Sequence, residues 1–436
     1  MAFAAFAVTA TAADRIIRSY LNDVMELAEF NEFVGGVLRI DPDFTYPARA
    51  AASGRPYVDV VVDEAQAALI ARFSRWSNEV VVHDVEKLLK DNEGKPKRRF
   101  KRGSTDDFNL RRYQSPQEFD TFQKKMAQKY PDLVTLHEIG RSVENRPIYV
   151  SSITNKRSTK WKPQIWIDGL IHAREWPSAH VAAAIMQKLI QDYTSGANPE
   201  STRFLDELEW FVAPVLNPDG YEYSFNHRGD TKRRFWRKNR SGPHCYTDQW
   251  YGWRCCSGVD LNRNFDFEFG KVPGWYGNTS CGFNYHGPSA ASEPETRAIA
   301  DFVGPRSHTI KAIISFHTFS QLWIYPYGHK EDTYPPNIGE LKAVAQHAVS
   351  RLAAKYNTFY TTGSGPDLLY GASGTFSDWA TKKGVPLVYA VELPPRKLNN
   401  GLNGFIMPTR QLPSIVEETW EAVAAVAAHV IHNYAK

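Results

Sequence analysis

His172 and Glu175 stand three residues apart, immediately after the apolar run Gln164–Ile171. A histidine and a carboxylate at that spacing, on one turn past a strand end, can direct both side chains at one metal ion. Zinc takes imidazole nitrogen and carboxylate oxygen at about 2.0–2.2 Å, and its catalytic sites use three protein ligands with a fourth position left for water. The pair therefore needs a third ligand. His317 is the candidate, because it follows Ile310–Phe316, a second apolar run of the buried-strand type. Alone, a histidine and a glutamate three residues on is a weak signal, and a surface histidine beside an ion-paired glutamate is the commoner arrangement. A second strand-end histidine strengthens it, since ligand sites in open α/β sheets gather at strand ends.

The elements that must position these groups form a long chain. Its 436 residues exceed one small core, so two or three domain-sized units are expected. Strand and helix patterns alternate from Gly103 onward, as in an α/β core, with strands predicted at Pro147–Ser151, Gln164–Ile171, Glu209–Ala213, Ile310–Phe316 and Leu387–Val391. A net charge of +4 is too small and dispersed for nucleic-acid binding. No stretch of about 18 uninterrupted apolar residues spans a membrane. Ile415–His432 comes nearest, but Glu417, Glu418 and Glu421 interrupt it, and it reads as a helix on a core.

The first ninety residues read as a small open sandwich of order β-α-β-β-α-β. The predicted pieces are a strand at Phe6–Thr11, a helix at Ala13–Phe30, strands at Gly36–Ile40 and Tyr57–Val62, a helix at Glu64–Ser74 and a strand at Glu79–His83. No cluster of catalytic residue types lies in this unit, so a structural or regulatory role fits it. Met1–Ala13 resembles a signal peptide only faintly, lacking a basic n-region, and is read as containing the first strand. A helix at Val85–Lys90 leads to the basic run Lys95–Ser104. Such a run is a solvated linker, an import or anion-binding patch, or an exposed site for a trypsin-like protease; between two domains the protease site is preferred.

The four cysteines, Cys245, Cys255, Cys256 and Cys281, lie in one short region. An even count there suggests two local disulfides and an oxidising compartment; a zinc knuckle is the rival, without paired Cys-x-x-Cys halves to support it.

Taken together, eight stretches resemble zinc metallocarboxypeptidase zymogens of the carboxypeptidase A/B family. They are His172–Trp176, Asn217–Tyr221, Trp236–Lys238, Gly258–Asn264, Ser315–Gln321, Tyr325–Gly328, Tyr370–Gly374 and Val391–Leu393, in the family's order across Gly103–Lys436. The resemblance implies an activation domain with its linker over residues 1–102 and a catalytic domain over residues 103–436, a mixed twisted sheet flanked by helices. It implies one zinc ion per chain, held by His172, Glu175 and His317. Peptide hydrolysis then needs a base that takes a proton from water and later protonates the amine. Glu392, after the strand Leu387–Val391, is that candidate; as a lone strand-end carboxylate it would be read as a salt-bridge partner. By resemblance Arg237 stabilises the oxyanion. Asn262 and Arg263 clamp the free terminal carboxylate, a task suited to the planar guanidinium fork. Tyr370 closes over the chain end, and Arg174, Phe319 and Phe405 belong to the substrate-binding set. Taken singly, each arginine is better read as a surface residue.

Ser377 occupies the position at the pocket base where basic-specific members carry an acid and apolar-specific members an aliphatic residue. Serine offers no charge to a buried lysine or arginine, and an unpaired buried cation costs several kcal/mol, on the order of 3–5. Ile324, Gly328, Gly365, Ala372 and Ala390, which line the matched pocket, are uncharged too, so neutral aromatic and aliphatic C-termini are expected; basic C-termini are the alternative. Asp378 is shared by both types, and Phe319 replaces a common tyrosine. Cys256 and Cys281 match the family's disulfide, leaving Cys245 and Cys255, in an apparent insertion, to pair with each other. Asn239 and Asn278 begin glycosylation-type triplets.

The expectation is a secreted, monomeric proenzyme acting on peptide C-termini. Its partners would be an activating trypsin-like protease, cutting after Arg102 or Arg99, and proteinaceous carboxypeptidase inhibitors. A non-catalytic peptide-binding relative is the rival, but such proteins lose the base or a ligand, and all four residues are present. No Gly-x-Ser-x-Gly supports a serine hydrolase, and no His-Glu-x-x-His a thermolysin-like site.

Overall fold

The structure is a computed structural model describing residues 13–22, 26, 29–30, 33–34, 45–48, 56–93, 108–196, 198–226, 230–248, 252–272, 277–396 and 401–435. The strands predicted at Phe6–Thr11 and Gly36–Ile40, the faint leader, and Arg99 and Arg102 lie outside these residues.

The larger part is built on an eight-stranded mixed sheet. Its strands are β5 (Val134–Arg141), β6 (Pro147–Ile153), β7 (Gln164–Asp168), β8 (Glu209–Ala213), β11 (Ile310–Ser320), β12 (Leu322–Tyr325), β13 (Thr361–Ser364) and β14 (Leu387–Arg396). The order is β13-β12-β14-β11-β7-β8-β6-β5, and the middle four strands, β14, β11, β7 and β8, run parallel. Parallel strands carry helices on both faces, which is why their sequences are apolar almost without a break. One face packs Ile165, Ile167, Ile314, Tyr389 and Val391 against the helices Trp176–Ser195, Ile338–Tyr356 and Leu412–Tyr434. The other packs Trp166, Ile313 and Val388 against the helices Pro294–Val303 and Phe376–Lys382.

Strand alternation therefore decides where the chemistry goes. Ser315 and His317 share the parity of Ile313 on β11, and Ala390 and Glu392 share that of Val388 on β14. The two strands are in register with Ser315 beside Ala390 and His317 beside Glu392. Both strands run further than expected, so His317 and Glu392 lie within β11 and β14 rather than beyond their ends. β7 is shorter, ending at Asp168.

The N-terminal unit is a four-stranded antiparallel sheet, β2-β3-β1-β4, of β1 (Arg15–Tyr20), β2 (Thr45–Ala48), β3 (Tyr57–Val62) and β4 (Ser77–Val82). The helix expected from Ala13 to Phe30 is corrected here: residues 15–20 are a central strand, and helical residues begin further on, at Glu26, Glu29 and Phe30. The cause is two-sided burial. Ile17 faces the unit's own core with Val58, Val60 and Ile70, while Ile16 and Val61 face Phe235, Phe319, Phe405 and Ile406 of the larger part. Adjacent buried isoleucines break the period-2 pattern of a one-sided strand and imitate a helical stripe.

A separate hairpin, β9 (His244–Asp248) with β10 (Gly252–Cys256), carries a Cys245–Cys255 disulfide between opposed residues. Cys256–Cys281 ties its base to the following segment. An isolated two-stranded hairpin is marginal in water, and the cross-links compensate for its missing core.

Candidate active site

His172 and Glu175 occupy the turn between β7 and the helix Trp176–Ser195, where Glu175 N donates to His172 O at 3.2 Å. Proline at the second helical position costs no hydrogen bond there, so the helix starts abruptly and leaves the turn to the two side chains. His317 comes from neighbouring β11. Glu175 Oε1 lies 2.8 Å from His172 Nδ1, Glu175 Oε2 lies 3.0 Å from His317 Nδ1, and the two Nδ1 atoms are 3.2 Å apart. Tetrahedral ligands bound at about 2.05 Å are about 3.3 Å from one another. Three donors of zinc-binding type, buried and converging at that spacing, fit the ion.

The opposite ring nitrogens carry the groups that orient them. His317 Nε2 is 3.3 Å from Ser315 Oγ, which donates to Asp168 Oδ1 at 2.7 Å, and Trp166 Nε1 donates to Asp168 Oδ2 at 2.7 Å. His172 Nε2 lies 3.3 Å from Asp260 Oδ1. Such outer partners fix ring orientation and raise ligand basicity. Burial pushes Asp168 up to about 6. Burial acts the same way on Asp260, but Arg237 foremost, then His172, outweigh it and hold that carboxyl well below its usual range.

Asp260 also aims Arg237, whose Nε and Nη2 donate to Asp260 Oδ2 at 2.9 and 2.8 Å. Arg237 Nη1 is then 3.7 Å from Glu175 Oε1, beside the ligand cluster. Asn262 N donates to Asp260 Oδ1 at 2.9 Å, and Phe376 N donates to Asn262 Oδ1 at 2.9 Å. That second bond occupies the amide oxygen and leaves Nδ2 as the donor. Arg263 Nη1 donates to Asn262 O at 2.6 Å and Nη2 to the Tyr370 hydroxyl at 3.3 Å. Arg263 Nε is buried without a hydrogen-bond partner among the described residues.

One cavity of about 480 Å³ gathers nearly the whole expected set: His172, Glu175 and His317; Glu392 and Arg237; Asn262, Arg263 and Tyr370; Phe319 and Phe405; and the pocket residues Ser377, Ile324, Gly365 and Ala390. Arg174 is the exception. It is fully buried, does not line the cavity, and stacks on Phe405 at 4.3 Å. Asn239, also fully buried, donates to Glu293 and Glu295 and is no glycan acceptor in the folded chain, whereas Asn278 is exposed. Asp260, Asp168 and Ser315 were not singled out from sequence. Ser315 shares the parity of His317 two residues before it, and Asp260 lies within the Gly258–Asn264 stretch, so a signal existed for both.

Two histidines and a glutamate gathered over the parallel strands of such a sheet, beside a cation and a second carboxylate, define a metal-dependent hydrolase. The profile of the zinc carboxypeptidase family matches residues 119–422. Carboxypeptidase A1 of Bos taurus is 35% identical over 81% of this chain and 79% of its own length. Carboxypeptidase O of Bos taurus is 36% identical over 75% and 81%. Among solved structures, thrombin activatable fibrinolysis inhibitor superposes with a TM-score of 0.78 at 29% identity, covering 97% of this chain and 100% of that one. The bovine form of that protein, in complex with tick carboxypeptidase inhibitor, gives 0.63 at 33% identity over 74% and 99%. The chain belongs to the zinc carboxypeptidase family and is a metallocarboxypeptidase. No helix among the described residues is long and apolar enough to cross a membrane.

Proposed function

We propose that the chain is a secreted proenzyme that, once its N-terminal unit is cut away, removes neutral aromatic or aliphatic residues from peptide C-termini. The observation that carries this reading is one cavity holding a three-ligand centre, Glu392 and the Arg263 fork together. When bound by His172, Glu175 and His317, zinc lowers the pKa of a bound water toward about 7 and polarises the scissile carbonyl. Glu392, beside His317 in the ladder, takes the water's proton and returns it to the leaving amine. Arg237, held by Asp260, meets the charge that develops on the carbonyl oxygen. Asn262 Nδ2 and Arg263 bind the terminal carboxylate, which restricts cleavage to the last residue. Tyr370, 39% exposed and within reach of Arg263, closes over the bound end.

The neutral-pocket reading rests on Ser377, Ile324, Gly365 and Ala390. The buried carboxylate nearest them, Asp378, already accepts from Gly328 N at 2.8 and 3.0 Å and faces His329 Nδ1 at 3.3 Å. The zymogen reading rests on what the N-terminal unit covers. Ile16, Val61, Val85 and Leu89 pack with Phe319 and Phe405, and Glu93 pairs with Arg234 at 2.7 Å. Arg234 in turn donates to Phe405 O at 2.9 Å and Arg174 O at 3.0 Å. The outer substrate wall is thus covered, while the ligand centre opens to the cavity. Two disulfides support an oxidising compartment and hence secretion. The test is hydrolysis of synthetic substrates ending in Phe, Leu, Lys and Glu by trypsin-processed protein. Phe and Leu are expected to be released fastest; rapid release of Lys would replace the neutral pocket with a basic-specific one.

A further inference from the structure

Asn239-Arg240-Ser241 and Asn278-Thr279-Ser280 both fit the pattern that secretory oligosaccharyl transfer requires. The fold treats their asparagines oppositely. Asn239 is fully buried, and its Nδ2 donates to Glu293 Oε2 at 2.7 Å and to Glu295 Oε2 at 3.1 Å. A sugar replaces one hydrogen on that nitrogen, so one buried carboxylate oxygen would lose its donor. A close-packed interior has no room for the saccharide either. Asn239 is closed to modification.

Asn278 lies on the surface, in the segment that the Cys256–Cys281 disulfide closes. A run of turns shapes it: Gly282 N donates to Thr279 O at 2.9 Å, and His286 N to Gly277 O at 3.0 Å. The Asn278 side chain meets the ring of His286 through Oδ1, 2.9 Å from Nε2. Nδ2, the atom a sugar takes, lies outside that contact. Ser280, the hydroxyl residue of the triplet, is buried and donates to His244 O at 2.7 Å, so the folded chain no longer offers it to an enzyme. Transfer therefore belongs to the unfolded chain, and the fold decides which asparagine can keep a sugar.

We propose that Asn278 carries an N-linked oligosaccharide and that Asn239 carries none. The donor is a lipid-linked oligosaccharide diphosphate. A bond forms between Asn278 Nδ2 and the anomeric carbon of the first sugar, and the bond from that carbon to the diphosphate oxygen breaks. The proton lost by Nδ2 balances the departing diphosphate. Attached there, the saccharide adds hydrated bulk to an exposed loop. Phe283 and Asn284 of the same loop line the active-site cavity, but Asn278 does not, so hydrolysis of small substrates is expected to be unaffected. The proposal rests on the reading that the chain is secreted, which its two disulfides support.

The test expresses the full chain in a eukaryotic secretory host and maps peptides of the product after peptide:N-glycosidase treatment in heavy-oxygen water. Enzymatic release converts a glycosylated asparagine to labelled aspartate. Label at Asn278 and none at Asn239 is the expected result, with one loss of mass on release. Asn278→Gln should abolish that mass shift while leaving dipeptide hydrolysis after processing unchanged, and Ser280→Thr should keep the shift. A secreted, fully disulfide-bonded wild type without label at Asn278 overturns the proposal and leaves the secretion reading standing. Label at Asn239 in active protein overturns it as well. A chain kept inside the cell with reduced cysteines and no sugar overturns the proposal and the secretion reading together.

Discussion

His317 and Glu392 stand side by side across the parallel ladder of β11 and β14. Both line one cavity, so in the proposed mechanism, where His317 would hold the metal and Glu392 would act as base, a single register sets both groups. Glu392→Gln removes the base while keeping size and ligands. Its kcat on a blocked dipeptide is expected to fall by at least about 10²–10⁴-fold. Zinc content measured on the same sample should be unchanged; loss of zinc would make Glu392 part of the metal centre rather than the base.

Asp260 joins His172, Arg237 and the backbone of Asn262. Asp260→Asn keeps the shape but removes the charge. Zinc affinity, measured by competition with a chelator, should drop about 10–100-fold. Unaltered affinity would limit Asp260 to holding Arg237.

Arg263 reaches Tyr370 and retains a buried Nε without a described partner. Arg263→Ala is expected to lower kcat/KM on free-acid peptides by about 10–100-fold, since hydrogen bonds to a charged group contribute about 1.5–3 kcal/mol. The same variant should lose its preference for free-acid over C-terminally amidated peptides. A preserved preference would move the carboxylate clamp elsewhere.

Ile16, Val61, Val85 and Leu89 pack on Phe319 and Phe405, and no described residue of the N-terminal unit lines the cavity that holds the ligand centre. The intact chain should therefore hydrolyse a blocked dipeptide while cleaving long peptides at least about 10-fold more slowly than the processed enzyme. Equal rates before and after processing, at both lengths, contradict an inhibitory N-terminal unit.

His180 supplies a pH dependence of stability apart from the metal. Its Nδ1–H donates to Trp176 O at 2.8 Å, and its Nε2 accepts from Gln114 N at 2.9 Å, among the rings of Phe108, Tyr113 and Phe119. Burial pushes its pKa down to about 3. The unfolded chain takes up this proton below about 6.5 while the folded chain does not, so folding stability falls as pH falls, by about 1.4 kcal/mol per pH unit from this group, levelling near 3. Urea unfolding of His180→Gln between pH 7 and 4 should show a shallower slope than wild type. An identical slope would assign the acid sensitivity to other groups.

Much of the catalytic sheet was legible because its central strands are buried on both faces: Glu209–Ala213 and the start of Ile310–Ser320 read directly as apolar runs. The short edge strands Leu322–Tyr325 and Thr361–Ser364 carry too few residues for a pattern, and Val134–Arg141, half exposed, shows no clean alternation. Two-sided burial misled at Ile16 and Ile17, where the second face is covered by residues more than two hundred positions away. The three ligands were readable from the spacing of His172 and Glu175 and from the apolar runs that precede them and His317, although His317 lies within β11 and not past its end. Asp168 was not readable, because its role depends on β7 and β11 becoming neighbours, which no local pattern records.

Dialysis of the processed protein against a zinc chelator, followed by metal analysis and a C-terminal release assay, addresses the ligand centre most directly. One zinc per chain should be lost in step with activity, and both should return on adding zinc. Full release of C-terminal residues by metal-free protein would contradict the account.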